Sequence, residues 1–262
     1  MGERTGSRSK AAKAARAAKL AVVAGSGLGA LADEVTVDCR VSFSDIDGVG
    51  ACTVAGHAGE VREGTLGGRP CVWVLGRRHG YEGQSAAMLR LVDWLASRGV
   101  THLLVTSAAG ALHGSLSPGE IVVARDIVDR QNRRWSDASR PGRPDARLAL
   151  DPGLVAALER AATRAGVAWH RGTLVCGSGP AYETAAEVRY LQESAGDVAT
   201  MSAAPEVIAA NRIGLPVAVA ALVTNAATGI APSTLSHAEV LNIGQQSVGQ
   251  VGAIVRQLLV EL

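Results

Sequence analysis

The stretch AVVAGSGLGA, residues 21–30, is the one on which the reading of the fold turns. An apolar run ends there in Gly25, Gly27 and Gly29. A β-strand feeding such a turn presents backbone N–H groups, and here the Ser26 hydroxyl, to an anion. The same letters fit the G-x-G-x-x-G/A fingerprint of a dinucleotide-binding half-domain. That unit needs a full crossover helix and a second strand closed by an acid. Only residues 30–35 are available for a helix before strand-like sequence resumes, so the fingerprint alone is a weak signal.

Outward from this turn, short apolar runs ending in glycine-rich turns alternate with longer helical periodicities. The pattern predicts strands over 19–24, 70–75, 102–106, 121–125, 173–176 and 217–223. It predicts helices over about 85–98, 153–165, 184–195, 205–213 and 237–260, the last long and amphipathic. Residues 130–148 (QNRRWSDASRPGRPDARLA) are polar and rich in Arg and Pro, the composition of a long surface loop. There is no internal repeat, and nothing else reads as a linker. The expectation is α/β: a single-domain three-layer α/β/α fold with a central mixed β-sheet, spanning 20–262 behind a basic leader at 1–19.

Composition narrows the function classes. The 262 residues are 47% hydrophobic and 19% charged, too apolar for a disordered chain, and no window approaches a membrane-spanning length. The net charge of +2 conceals a leader carrying six basic groups and one acid; the remainder is slightly acidic. A body of that sign is a poor partner for nucleic acid. The Arg-, Ala- and Ser-rich leader has the composition of a transit peptide, but a frayed, flexible leader ending in a short helix is the favoured reading, and it has no apolar signal-peptide core. Cys39, Cys52, Cys71 and Cys176 form no C-x-x-C pair and no metal-ligand rhythm with histidine, so a reduced cytoplasmic protein without a metal site is expected.

Four further constellations could carry chemistry. Gly76-Arg77-Arg78-His79-Gly80-Tyr81-Glu82-Gly83 follows the run CVWVL. Arg77 and His79 alternate there, so both can point one way at a strand's carboxyl end, where arginine offers a planar fork for phosphate. A solvated charged turn is the competing reading. Ser107-Ala108-Ala109-Gly110 and Gly177-Ser178-Gly179-Pro180-Ala181-Tyr182-Glu183-Thr184 are glycine-bearing strand ends. Tyr182 and Glu183 suit a heterocycle, with a ring to pack on and a carboxylate to accept N–H. A glutamate near a helix start is also ordinary dipole complementation. Asn225 ends the apolar run PVAVAALV and must satisfy its amide through a ligand or an Asx turn. Met201-Ser202 and His237 complete the set, and Ser236 with Glu239 could equally form a capping box around His237.

Taken in order, GSGLG, GHAGE (56–60), GRRHGYEG, SAAG, GPAYET, MSAAPE, TNAATG and SHAEVL resemble the low-molecular-mass, homotrimeric purine nucleoside phosphorylases, from about residue 20 to the C-terminus. The last two motifs look like the bacterial branch. The resemblance implies an enzyme, a pentosyltransferase: purine nucleoside plus phosphate gives free base and a pentose 1-phosphate, with 6-oxopurines favoured and no cofactor beyond the phosphate co-substrate. It implies a phosphate site of Ser26, His57, Arg77, His79, the Ala108 backbone N–H and Ser202. Tyr81 and His237 would hold the sugar hydroxyls, Met201 would pack beneath the ribose, and Tyr182, Glu183 and Asn225 would grip the base. Asn225, His79 and Glu183 would carry the catalysis, and the partners would be nucleoside, phosphate and two further copies of the chain.

The chain also departs from that family's pattern. Ser107 stands where the family usually has Asn, an altered floor to the site, and Thr200 replaces the glycine before Met-Ser. The stretch ARLALDPG lacks the phenylalanine that would enter a neighbour's sugar pocket, with Leu148 its nearest counterpart. These changes suggest either weakened activity on ordinary nucleosides or a preference for a modified sugar. A 5′-methylthionucleoside phosphorylase is the nearest alternative, disfavoured by polar His237. A phosphate-free hydrolase, a non-catalytic purine-binding paralogue and a dinucleotide oxidoreductase are the remaining rivals.

Overall fold

In the computed structural model, which describes residues 18–54, 57–82, 86–131, 148–232 and 236–262, all six expected strands form and three more join them. The strands are β1 (Leu20–Ala24), β2 (Thr36–Ser42), β3 (Glu60–Leu66), β4 (Arg69–Leu75), β5 (His102–Ala111), β6 (Ile121–Asp129), β7 (Trp169–Cys176), β8 (Val198–Thr200) and β9 (Val217–Ala226). The helices are α1 (Ala87–Ser97), α2 (Pro152–Arg164), α3 (Ala185–Glu193), α4 (Ala204–Ile213), α5 (His237–Gln246) and α6 (Val248–Glu261). All of the leader except its last two residues, and most of the Arg- and Pro-rich stretch at 130–148, lie outside the described residues.

The sheet is mixed, in the order β2-β3-β4-β1-β5-β8-β7-β6-β9, with β9 also pairing β5. β5 pairs parallel to β1 at Leu20↔His102 and onward, while its other edge runs parallel to β9 from Leu103↔Val217. Past the end of β1, the β1-side edge of β5 is taken up antiparallel by β8 at Gly110↔Ala199. The strands β5-β8-β7-β6-β9 therefore close into a ring, and β1, β4, β3 and β2 fan out from it. After β1 the chain makes only a 3-10 turn, Gly29–Glu34, and then β2 and β3 pair antiparallel. That excludes the βαβ unit a dinucleotide fold requires.

Alternation along the strands feeds two cores. Leu20, Val22 and Ala24 of β1 join Leu158 of α2 and Val255 and Leu258 of α6. Ala21 and Val23 join Leu91 and Leu95 of α1 and Val207 of α4. Both β1 faces are buried, as expected of an interior parallel strand, and each buried Val or Leu contributes about 1.5–3 kcal/mol relative to exposure. A smaller cluster packs Val188 and Leu191 of α3 against Leu112, Val175 and Ala199 at the ring. No helix among the described residues is long and apolar enough to cross a membrane.

The single helix expected over 237–260 is two. It breaks at Ser247, whose N–H reaches both Ile243 O and Gly244 O. Gly244 and Gly249 weaken helix propensity on either side, and Gly244 has a packing task. A side-chain carbon on Gly244 would lie 2.6 Å from Ser26 O, and one on Gly27, at φ +79°, would lie 2.8 Å from the Gly244 Cα. The two glycines let α5 rest directly on the Ser26 turn. In most helices Gly→Ala stabilises by roughly 0.5–1 kcal/mol. Gly244→Ala is expected to reverse that sign, lowering stability by about 1–3 kcal/mol in urea unfolding. Gly249→Ala, at a position with open space around it, should show the ordinary gain. A stabilised Gly244→Ala would mean the helix does not press on the turn.

Candidate active site

The turns leaving the carboxyl ends of β1, β4, β7, β8 and β9, together with the second half of β5, surround one cavity of about 310 Å³. That is near the lower bound of roughly 300–1,000 Å³ for small-molecule sites. Of the residues expected at the site, Ser26, Arg77, His79, Tyr81, Ala108, Tyr182, Glu183, Met201, Ser202, Asn225 and His237 all line it. His57 does not. It lies behind His79, ring edge to ring face with centroids 5.4 Å apart. His57 sits so close to Gly76 (φ +113°) that a side-chain carbon there would be 2.7 Å from the His57 Cβ.

Arg77 is the buried centre of one side. It is 2% exposed, and its guanidinium donates to Ser202 Oγ at 2.7 Å and to Thr106 O at 2.7 Å. Its Nε lies 3.1 Å from Glu206 Oε1 in an ion pair whose angle falls short of a hydrogen bond, so neither Glu206 oxygen has a hydrogen-bond partner among the described residues. Glu206 enters from the first turn of α4, which the sequence reading did not single out. Thr106 also fixes the Ser26 turn. Its hydroxyl accepts from Gly25 N–H at 2.9 Å and donates to Val23 O at 2.8 Å.

Glu82 shapes the next turn. Its carboxylate accepts from the His79 N–H at 2.6 Å and from the Thr53 hydroxyl at 2.5 Å. Burial alone would raise its pKa, but these hydrogen bonds and the Arg78 charge hold it below the usual carboxylate range. The turn so formed stacks Tyr81 on His79, centroids 5.0 Å apart. Burial, with Arg77 and His79 nearby, pushes the His57 pKa down to about 3, so its ring is neutral at physiological pH.

Across β5, Glu183 and Asn225 come from the segment that follows β7 and from β9. Desolvation raises the Glu183 pKa, and Gly177 leaves room for that carboxylate, since a side-chain carbon on it would lie 3.0 Å from Glu183 Oε1. The helix start itself is capped one residue later, where Thr184 and Glu187 form a capping box. Glu183 is therefore not needed as a cap. Asn225 Oδ1 accepts from Thr224 Oγ1 at 2.8 Å and its Nδ2 donates to Ala226 O at 3.0 Å. An amide has two donors and two lone pairs, so one of each remains beyond these contacts. Ser236 caps α5 by accepting from Glu239 N–H at 3.2 Å, and His237 lines the cavity beside that cap.

The departures separate. Ser107 is completely buried and lies on the same side of β5 as Val105 and Ala109, which belong to the core shared with α1 and α4. It does not line the cavity, so the expected change to the floor of the site is not made by this residue. Leu148 packs against that same core of its own chain, where Ala149 exchanges two hydrogen bonds with Asn211 of α4. Thr200, by contrast, faces the cavity. Val54, Pro180, Thr224 and Val240 also line it; their neighbours carried the recognisable chemistry. Among the described residues no group of three or more His, Cys, Asp or Glu is placed to hold a metal ion.

The class to which this mixed sheet and its strand-end cavity belong is given by comparison with known proteins, and it is that of the nucleoside phosphorylases. The chain belongs to the phosphorylase superfamily, whose family model matches residues 19–260, and within it to the purine nucleoside phosphorylases. It is similar to purine nucleoside phosphorylase 1 of Bacillus subtilis, with 35% identity covering 87% of this chain and 86% of that one. The bovine purine nucleoside phosphorylase is 32% identical over 93% and 89%. The structure of Schistosoma mansoni purine nucleoside phosphorylase in complex with inosine superposes with a TM-score of 0.81, at 29% identity, over 93% of this chain and 90% of that one.

The Arg77–Glu206 pair should dominate local stability. Removing one partner of a buried pair leaves an uncompensated charge and costs about 3–5 kcal/mol. Glu206→Ala is expected to lose that much in urea unfolding. Loss of the exposed Arg256–Glu34 pair through Glu34→Ala should cost less than about 1 kcal/mol. Equal effects would contradict the buried charge assignment.

Proposed function

We propose that the protein catalyses reversible phosphorolysis of 6-oxopurine nucleosides, giving free base and ribose or deoxyribose 1-phosphate. The observation that carries this reading is one cavity holding a buried arginine and serine on one side of β5 and a desolvated glutamate with a half-satisfied asparagine on the other. Breaking the glycosidic bond leaves positive charge on the sugar and negative charge on the base. Phosphate held by Arg77, Ser202, Ser26 and the Ala108 N–H stabilises the sugar cation and then bonds to its anomeric carbon. The bonding electrons leave with the purine.

Asn225 answers the charge on the base. Its remaining N–H donates to the N7–O6 edge of the purine, a contact that strengthens as negative charge develops there. Glu183 accepts N1–H, a proton that 6-aminopurines lack, which favours inosine and guanosine. Tyr81 and His237 take the sugar hydroxyls, Met201 packs beneath the ribose and Tyr182 packs on the base. His79 helps hold the phosphate, and neutral His57 supports its ring from behind. The chemistry needs no metal or organic cofactor. The same reading makes the protein a cytoplasmic homotrimer, which sedimentation equilibrium tests directly.

Phosphate-dependent release of hypoxanthine from inosine, followed by absorbance, tests the function. Release that proceeds equally without phosphate would establish a hydrolase instead. Asn225→Ala should lower kcat for inosine by about 10²–10³, the size of losing one transition-state donor; an unchanged kcat would remove Asn225 from leaving-group stabilisation. The raised pKa of Glu183 also has a direct consequence. A carboxyl that protonates above the ordinary glutamate value of about 4.3 loses its acceptor role as pH falls through that raised value. At saturating phosphate, kcat/KM for inosine is expected to show this acid limb, and Glu183→Gln should abolish it. A limb that persists in the variant belongs to another group.

A further inference from the structure

We propose that Thr200 lowers the affinity of the site for phosphate by engaging the only proton of the Ser202 hydroxyl. Thr200 ends β8, is 5% exposed and lines the cavity. Its Oγ1 donates to Ala108 O at 2.9 Å and lies 3.1 Å from Ser202 Oγ, which in turn is 2.7 Å from an Arg77 terminal nitrogen. The direction of every bond in this chain is fixed by elimination. A guanidinium has no acceptor, so Arg77 donates to Ser202. A carbonyl has no proton, so Thr200 spends its single proton on Ala108. Ser202 is left to donate to Thr200, and the series runs Arg77 to Ser202 to Thr200 to the Ala108 carbonyl.

This order opposes one function of Ser202 as read above, on which the inference rests. A hydroxyl donates once. For phosphate to receive the Ser202 proton, the Ser202–Thr200 bond must break, and its strength is subtracted from phosphate binding. A glycine at position 200, the residue the family pattern leads one to expect, would offer no competing acceptor. Thr200 also continues the β8–β5 contact beyond Gly110↔Ala199 through its side chain. A purely structural role would therefore appear as lost stability and lost kcat, with no gain in phosphate affinity.

Calorimetric titration of the full chain with inorganic phosphate reads the effect without relying on turnover, and the phosphate KM at saturating inosine gives a second reading. Thr200→Val keeps the branched shape and removes the acceptor. It should tighten phosphate binding about threefold to tenfold, the net worth of one neutral hydrogen bond, and leave the inosine KM within about twofold. Thr200→Ser restores the hydroxyl and should match the wild type. Should Thr200→Val not fold, Thr200→Gly removes the same acceptor and carries the same expectation. Unchanged or weaker phosphate binding in the hydroxyl-free variant, with Ser202→Ala weakening it, overturns the role of Thr200 alone. Ser202→Ala with unchanged phosphate binding overturns the placement of phosphate at Ser202, and the inference with it.

Discussion

Between His102 and Ala111 the backbone offers ten residues of N–H and C=O groups, and three strands share them. β1 occupies one edge only as far as Val105, β9 runs along the other, and β8 takes the first edge again at Gly110 and Ala111. The cavity follows from this division. Where β1 stops, its glycine turn must leave the sheet beside β5. A Cβ on Gly25 would lie 3.0 Å from the Ser107 Cα, so a larger residue would have to push the turn and β5 apart by a few tenths of an ångström. Where β8 arrives, Thr200, Met201 and Ser202 are delivered to the same place. On the other edge, a register shift beside Ala109 leaves Thr224 of β9 unpaired and aligns Gly110 with Asn225. A bulge of this kind re-aims side chains, and Thr224 and Asn225 both end in the cavity.

Physical differences among the elements explain why some of this architecture could be read from sequence and some could not. β1, β4, β5 and β9 are buried on both faces and read as continuous apolar runs. β2, TVDCRVS, alternates between exposed and partly buried positions, and β3, EVREGTL, carries Glu60 paired with Arg62, and a buried Glu63 paired with Lys19 and Arg98. Neither has the apolar density that marks an interior strand. β8 has three residues, too few for any periodicity. Closure of the ring depends on that short strand, so the ring was not legible even though the mixed sheet was. The joint at Ser247 was hidden for another reason: both halves share an amphipathic pattern, and only the contact of Gly244 with the Ser26 turn distinguishes them.

The candidate site was more legible than the topology, because its residues sit at strand ends that glycines punctuate. Eleven of its twelve expected members line the cavity. Glu206 was missed because a glutamate in the first turn of a helix is commonplace; only its 1% exposure and its distance to Arg77 single it out. Thr200 was noticed as a departure, but its consequence lies in hydrogen-bond direction, which no residue pattern encodes. Ser107 was noticed equally and faces the other way. Parity along β5 would have placed it with Leu103 and Val105, on the face packed against α1 and α4, had the strand been known to continue past Thr106.

The electrostatics of the Arg77 side give hydrogen-bond direction unusual weight. Glu206 offsets the charge of Arg77 at 3.1 Å, and burial keeps His57 neutral. In the proposed reaction, a phosphate dianion entering there would meet less net positive charge than the roster of arginine and histidine suggests. Its stabilisation then depends on oriented dipoles: the turn at Ser26 held by Thr106, the strand N–H at Ala108 and the hydroxyl of Ser202. Fixed dipoles in a partly desolvated cavity act without reorganisation, but each one counts only in the direction it points. Exchanging a glycine for Thr200 leaves every charge in place and still changes the site, because it changes where one proton is aimed.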